Sequence, residues 1–157
     1  MTAPTLTVGP DGLIAAGPVA ALLADVPRLV ILAATAAERR RAAAIGKRAL
    51  REWDAYLRGD LRCWSVPVAP QGTAFQQAVW AAIARIPYAQ VMTYGALAAA
   101  IGRPRACRAV AAACGRNPIP IRIPCHRVVA ADGPGGYTGG LACKFRLWDI
   151  EGISRPR

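Results

Sequence analysis

The sequence predicts an α+β chain of two lobes, a small N-terminal lobe with an antiparallel sheet and a helix, and a helical C-terminal lobe. Strand-like segments joined by turn residues occur near the start, and helical patterns with short connections follow residue 73. Between them lies an extended segment, 66–72, with two prolines and a glycine. We therefore place the lobes at residues 1–68 and 69–157.

Three short strands are predicted in the N-terminal lobe. Residues 5–8 and 13–15 flank the turn Gly9-Pro10-Asp11-Gly12, an arrangement typical of a β-hairpin. The apolar run 29–32 is the third strand.

A long helix is predicted after these strands. Thr35 and Glu38 have the spacing of a capping box, and Gly59 is expected to end the helix. Its buried face should carry Ile45, Ala49, Trp53, Tyr56 and Leu57. Its opposite face carries Arg39, Arg40, Arg41, Lys47, Arg48 and Arg51. Such a face is typically solvated, and we predict no binding site there.

The C-terminal lobe should open with another capped helix. Thr73 and Gln76 form a second capping box, and the helix must end before Pro87. Its apolar positions are Phe75, Val79, Trp80 and Ile83.

Two short helices, 94–101 and 104–114, predict a helix-turn-helix. Gly102 closes the first, and Pro104 is expected in the first turn of the second. The second helix is rich in alanine, which allows close approach either to a neighbouring helix or to another molecule.

A stiff segment follows this helix pair. Residues 117–124 contain three prolines, so they cannot be helical, and they lead directly to Cys125. After a turn at 132–136, a final helix is predicted from 141 to 151, with Gly152 as its stop.

The composition limits the class of partner and the compartment. The chain has 20 Lys+Arg against 9 Asp+Glu, a formal net charge of +11, which favours a polyanion such as nucleic acid; a merely soluble arginine-rich surface is the alternative. Five cysteines without a C-x-x-C pair predict free thiols in a reducing cytoplasm. With His126 as the single histidine, we expect no zinc, no other metal and no cofactor. We also expect neither a membrane span nor a secretory signal.

The run Pro124-Cys125-His126-Arg127 is the strongest candidate for chemistry. A thiolate is a strong nucleophile, but a free thiol titrates near about 8.5 and needs a base to ionise at neutral pH. Neighbours on an extended chain point to opposite faces, so a bent backbone or a bridging water is required. The alternative is that Cys125 is a core residue and His126 a buried polar one.

The run Asn117-Pro118-Ile119-Pro120-Ile121-Arg122-Ile123-Pro124-Cys125-His126-Arg127-Val128-Val129 resembles the active-site signature of the O6-alkylguanine-DNA alkyltransferase family. Gly136-Tyr137-Thr138-Gly139-Gly140-Leu141 is similar to the glycine-rich loop that follows it there. The blocks at 75–80, 86–88 and 93–95 also match, and the resemblance extends over residues 69–152.

The resemblance implies a winged-helix-like C-terminal lobe whose helix-turn-helix binds DNA and which carries the active-site cysteine. It implies direct repair by a monomer that flips O6-alkylguanine out of duplex DNA and transfers the alkyl group irreversibly to Cys125. O4-alkylthymine is a further candidate substrate. A cytoplasmic protein that joins the nucleoid when it acts on DNA is expected.

The family pattern also implies roles for single residues. His126 is the base that withdraws the thiol proton through water, Glu151 orients it, and Asn117 braces the turn before the active-site segment. Arg108 fills the gap left by the flipped base, and Tyr94 crowds the neighbouring phosphate. Further DNA contacts are expected at Thr93, Ala109, Ala112 and Arg116. The guanine pocket is expected to contain Tyr137, Thr138, Pro120, Val128 and Cys114.

Some positions depart from the family pattern. Ala111 and Ala112 stand where a glycine is common, Cys107 where alanine is usual, and Cys114 where a larger residue often stands. These departures leave the range of alkyl groups open. Two other functions also remain: a lesion-binding module without repair, whose members lack the cysteine, and a thiol hydrolase, whose cysteine and histidine usually lie far apart in sequence.

Overall fold

The computed structural model describes residues 4–23 and 27–155 and has a mixed α/β architecture. The chain divides into two compact units, Met1–Gln71 and Gly72–Arg157. Residues 67–69 lie with the first unit, because Leu13 N donates to Pro67 O (3.0 Å) and Ala69 N donates to Leu13 O (2.7 Å). No helix among the described residues is both long and apolar enough to cross a membrane.

The first unit holds a three-stranded sheet in the order β2-β1-β3. Its elements are β1 (Thr5–Gly9), β2 (Gly12–Ala16), α1 (Val19–Leu22), β3 (Arg28–Ile31) and α2 (Ala36–Leu57). The predicted hairpin is confirmed, since β1 and β2 are antiparallel. The predicted antiparallel character of the whole sheet is wrong, since β3 runs parallel to β1, with Thr5 opposite Arg28. Arg28 N donates to Pro4 O (2.9 Å), so β3 begins beside the start of β1, on the side away from β2.

Helix α2 has the predicted capping box at Thr35 and Glu38. Its buried residues are Ala42, Gly46, Ala49, Trp53 and Tyr56. The predicted core positions Ile45 and Leu57 are half-buried instead. Gly46 explains part of this difference. A Cβ at this position would lie only 2.9 Å from Leu29 Cδ1 of β3, so the helix packs against β3 through the side that carries the glycine.

The second unit is mainly helical. Its elements are α3 (Ala74–Ile83), β4 (Met92–Thr93), α4 (Tyr94–Ala100), α5 (Cys107–Gly115), β5 (Val128–Val129) and α6 (Leu141–Glu151). The predicted capping box at Thr73, the end of α3 before Pro87 and the left-handed Gly152 after α6 are all confirmed. The expected position of Pro104 in the first turn of α5 is wrong. Ala106 N donates to Arg103 O (2.8 Å), so the proline occupies the connecting turn and α5 begins only at Cys107.

Two packing features hold the residues before α4 beside the segment that follows Cys125 and hold α5 against α3. Strands β4 and β5 pair in parallel, with Met92 opposite Val128 and Thr93 opposite Val129. This pairing ties the residues just before α4 to those just after the cysteine. In addition, the buried Trp80 Nε1 of α3 donates to Ala113 O of α5 (2.9 Å), which holds α5 in place.

Candidate active site

The proline-rich segment before Cys125 folds into a tight, hydrogen-bonded turn. Ile123 N donates to Ile119 O (2.9 Å), and Ile121 at the turn has φ = 75°, a left-handed conformation that is rare for a β-branched residue. Ile121 is fully buried, so the surrounding core holds this conformation. Cys125 follows as the first residue of a 3-10 turn, Cys125–Arg127. The backbone is therefore bent at the cysteine, as an adjacent thiol and imidazole require.

Asn117 braces this turn with its side chain. Its Oδ1 accepts from Ile119 N (3.0 Å), and its Nδ2 donates both to Ile123 O (2.7 Å) and to the Cys125 Sγ (3.1 Å). The same side chain thus fixes the backbone of the turn and touches the candidate nucleophile.

The Cys125 thiol lines a cavity of about 370 Å³. The residue is 8% exposed. Burial raises the pKa of Cys125, and the hydrogen bond from Asn117 opposes that rise. The thiol is therefore protonated at rest near neutral pH and requires a base to become nucleophilic. The cavity is lined by Tyr94, Ala111, Cys114, Gly115, Cys125, Gly136, Tyr137 and Thr138.

The side chains of His126, the residue after the cysteine, and Glu151 are in hydrogen-bond contact. Nε2 of His126 lies 2.7 Å from Glu151 Oε1, and both side chains are fully buried. Arg127 completes the cluster, because its Nε and Nη2 donate to the two oxygens of Glu151 (2.8 and 2.9 Å) and its Nη1 donates to Ile86 O (2.6 Å). Trp148 Nε1 donates to His126 O (2.7 Å) and fixes the histidine backbone. One carboxylate thus orients the imidazole and neutralises a buried guanidinium.

Lys144 is a second buried cation near the thiol. It is fully buried, and its Nζ donates to Val128 O (2.7 Å) and to Pro134 O. Burial lowers the pKa of Lys144 to about 8, while the nearby Cys125 and Cys114 thiols act in the opposite direction. Lys144 therefore ties the loop after β5 to α6 and places positive charge near the two thiols.

The predicted catalytic residues Cys125, His126, Glu151 and Asn117 are brought together by these contacts. Of the predicted pocket residues, Tyr137, Thr138 and Cys114 line the cavity with the cysteine. Thr138 Oγ1 also donates to Gly115 O (3.1 Å), which links the loop to the end of α5. Pro120 and Val128 are buried but do not line the cavity.

The predicted DNA-binding residues lie mostly on one exposed surface. Arg108, Ala109 and Ala112 are exposed on α5, and Arg116 is exposed at its C-cap. Val110, Ala113 and Cys114 form the buried side of that helix. Thr93 caps α4 through its side chain, which accepts from Ala96 N (3.1 Å). Tyr94 begins α4 and lines the cavity, with its hydroxyl 3.4 Å from Gly136 O.

Sequence reasoning missed five contributors to the site. Arg127 and Lys144 are buried beside it, and Ala111, Gly115 and Gly136 line the cavity. The sequence does carry a signal for Lys144, because helical spacing places position 144 on the same face as Leu147, Trp148 and Glu151. All four side chains on that face are buried in the structure. Nothing in the local sequence indicated that Arg127, rather than His126 alone, would share Glu151.

The buried histidine predicts a pH dependence of stability. Burial lowers the pKa of His126, although Glu151 acts in the opposite direction. Below the unfolded pKa of about 6.5, the unfolded chain takes up a proton that the folded protein does not. The free energy of unfolding should therefore fall as pH drops from 7.5 to about 5.5, by at most about 1.4 kcal/mol per unit.

Urea unfolding at several pH values measures this slope. His126 is the only histidine in the sequence, so His126→Asn should flatten the profile in that range. A stability that instead rises as pH falls would show that the folded state favours the imidazolium ion beside Glu151.

The fold and site together define a class of protein, one with a buried cysteine–histidine–glutamate site beside a pair of short helices. A family model described as the DNA binding domain of 6-O-methylguanine DNA methyltransferase matches residues 74–153. The chain therefore belongs to the 6-O-methylguanine DNA methyltransferase family.

Individual relatives agree with this assignment. The chain is 48% identical over 107 residues to the methylated-DNA–protein-cysteine methyltransferase of Methanosarcina acetivorans, covering 68% of this chain and 69% of that protein. It is 47% identical over 97 residues to the inducible enzyme of that name from Bacillus subtilis, covering 61% and 54%. The structure is similar to that of Mycobacterium tuberculosis OGT in complex with DNA, with a TM-score of 0.65 and 45% identity, covering 66% of this chain and 64% of that one.

Proposed function

We propose that this protein repairs O6-alkylguanine in duplex DNA by moving the alkyl group to Cys125 in one irreversible turnover. The observation that carries the proposal is the position of the thiol. It faces a cavity of about 370 Å³ that also contacts α5, the helix with the exposed basic and small side chains. A nucleophile at the base of such a cavity can reach a base taken out of the helical stack.

The chemistry requires a single displacement. His126 withdraws the Cys125 proton through a bridging water, and Glu151 stabilises the resulting imidazolium. The thiolate then attacks the alkyl carbon and forms a C–S bond. The bond between the alkyl carbon and O6 breaks, its electron pair stays with guanine, and guanine takes up a proton. Because the thioether has no route back to a thiol, each molecule reacts once.

Two features support recognition of an extrahelical base. The buried Tyr137 hydroxyl has no hydrogen-bond partner among residues 4–23 and 27–155, and the Tyr137 side chain lines the cavity. A buried hydroxyl of this kind is costly unless a ligand pairs with it. We assign guanine as that ligand, with Thr138 beside it, and O4-alkylthymine as a second substrate, because it too carries its alkyl group on an exocyclic oxygen.

For duplex binding, we assign a winged-helix-like role to the C-terminal unit, with α5 in the minor groove. Exposed Ala109 and Ala112 allow close approach, and we assign phosphate contacts to Thr93, Tyr94 and Arg116. A monomer suffices for this arrangement. The five free cysteines fit a reducing cytoplasm, where the protein would associate with the nucleoid.

Arg108 is assigned to the gap left by the flipped base. Arg108→Ala should slow transfer from O6-methylguanine in a duplex, because extrusion costs a few kcal/mol and the gap-filling side chain offsets part of it. Transfer from free O6-benzylguanine should change little. The two single-turnover rates measure this, with Arg146→Ala as an exposed-arginine control. Equal slowing on both substrates would show that Arg108 does not fill the gap.

The function itself is tested by the mass of the intact protein after incubation with a duplex containing O6-methylguanine. An increase of one methyl group per molecule, located on Cys125, is expected. Binding without any mass change would favour the lesion-binding module. Repeated turnover of an ester or peptide substrate would favour a thiol hydrolase.

A further inference from the structure

The exposed face of α2 carries a row of six cations, Arg39, Arg40, Arg41, Lys47, Arg48 and Arg51, which we name the basic stripe. All six side chains are exposed. Arg40, Lys47, Arg48 and Arg51 lie opposite the buried positions of the helix, which include Ala42, Ala49 and Trp53. Arg39 and Arg41 lie to either side of those four residues, because consecutive helical residues are about 100° apart. Because α2 is one continuous helix, the basic stripe is a rigid element about 18 Å long.

Local helix energetics do not account for this placement. No acidic residue occurs between Arg39 and Arg51, so no two positions within the stripe can form an i, i+4 ion pair. The nearest acids stand at its two ends, Glu38, whose pKa is lowered by its backbone hydrogen bond from Thr35 and in part by Arg41, and Glu52. Lys47 and Arg51 instead form a like-charge pair at that spacing. The helix dipole favours cations in the last turn, yet the last turn of α2 has no basic residue.

The acidic side chains near α2 are engaged elsewhere. Glu38 accepts from the backbone of Ala34 and Thr35, both at 2.9 Å, in the capping box. Glu52 accepts from Ser65 N (3.0 Å) and Val66 N (3.1 Å). Asp54 and Asp60 both pair with Arg58. Within residues 4–23 and 27–155, no ion pair involves any cation of the basic stripe.

Although the sequence pattern alone favours a solvated face here, we propose that the basic stripe binds the phosphate backbone of duplex DNA as a second, sequence-independent contact of this protein. Duplex DNA carries one negative charge per about 1.7 Å of its axis, so several phosphates lie within the length of the stripe. Five of the six cations are arginines, which bind phosphate oxygens in a bidentate manner. The inference takes its partner from the proposed function but does not depend on alkyl transfer.

The test compares two double variants on an undamaged duplex of about 30 base pairs. Lys47→Gln with Arg51→Gln removes two stripe cations, and Arg28→Gln with Arg58→Gln removes two exposed cations of the same unit outside the stripe. Fluorescence anisotropy at increasing salt gives the slope of log K against log salt. The negative slope of the stripe variant should become less steep by about 1.8, because two phosphate contacts at about 0.9 each are lost. The control should keep the wild-type slope.

Three outcomes decide the matter. A reduced slope in the stripe variant alone supports the inference, even if the wild-type protein transfers no alkyl group. Equal slopes in all three proteins overturn it, even if transfer is normal. A stripe variant that loses binding to poly-glutamate but not to DNA also overturns it, because the face would then serve an acidic protein partner.

Discussion

Alanine at position 125 is expected to leave the protein unable to accept an alkyl group. The displacement needs a sulfur nucleophile, and Cys125 Sγ is the atom that Asn117 Nδ2 holds at 3.1 Å beside the cavity. Loss of an activated nucleophile typically lowers the rate by about 10³-fold or more. Transfer of labelled methyl from O6-methylguanine in a duplex to protein, followed in single turnover, measures this loss.

Cys114 provides the matched control for this variant. It is a second buried thiol that lines the same cavity, and burial raises its pKa to about 12. Unlike Cys125, it is followed by glycine and not by a histidine that could withdraw its proton. Cys114→Ala should therefore retain transfer, while Cys125→Ala should lose transfer and still bind duplex DNA. Wild-type labelling of the Cys125→Ala protein would contradict the assignment of the acceptor.

Removal of the Glu151 carboxylate should lower the stability of the folded protein and stop alkyl transfer. Glu151 is 4% exposed and accepts from Arg127, His126 and the backbone of Ala89. Glu151→Ala leaves the Arg127 guanidinium buried beside no carboxylate, and breaking such a buried pair costs about 3–5 kcal/mol. The melting temperature should fall by roughly 10 °C.

The milder substitution separates stability from chemistry. Glu151→Gln preserves the volume and part of the hydrogen bonding but removes the charge that stabilises an imidazolium, so transfer should slow more than stability falls. Asp149→Asn is the control on the same helix, because its pair with Arg155 is exposed and such pairs contribute at most about 1 kcal/mol. Wild-type stability and transfer in Glu151→Ala would show that the cluster is dispensable.

The elements that sequence predicted well are those governed by local interactions. The two capping boxes, at Thr35 and Thr73, form with both side-chain-to-backbone contacts in place. Gly152 adopts the left-handed conformation that ends α6, with φ = 73°. In each case the residues that decide the structure lie within four positions of one another, so no distant contact is needed.

Two features that the sequence did not predict depend on distant parts of the chain. The parallel direction of β3 depends on which side of β1 it packs, which its own apolar residues do not specify. The left-handed Ile121 is imposed by the core around the proline-rich turn, since its residue type disfavours that conformation. The later start of α5 has a local cause, since the turn closed by Ala106 N and Arg103 O takes Pro104 out of the helix.

The candidate site divides in the same way. The family resemblance of the sequence predicted Cys125, His126 and the distant carboxylate Glu151 as the candidate reactive groups. Tertiary structure alone decided that Arg127 shares that carboxylate, that Lys144 is buried near the thiols, and that a cavity opens at the sulfur. Chemical identity belongs to each residue, whereas burial, shared partners and empty volume exist only once separate segments pack together.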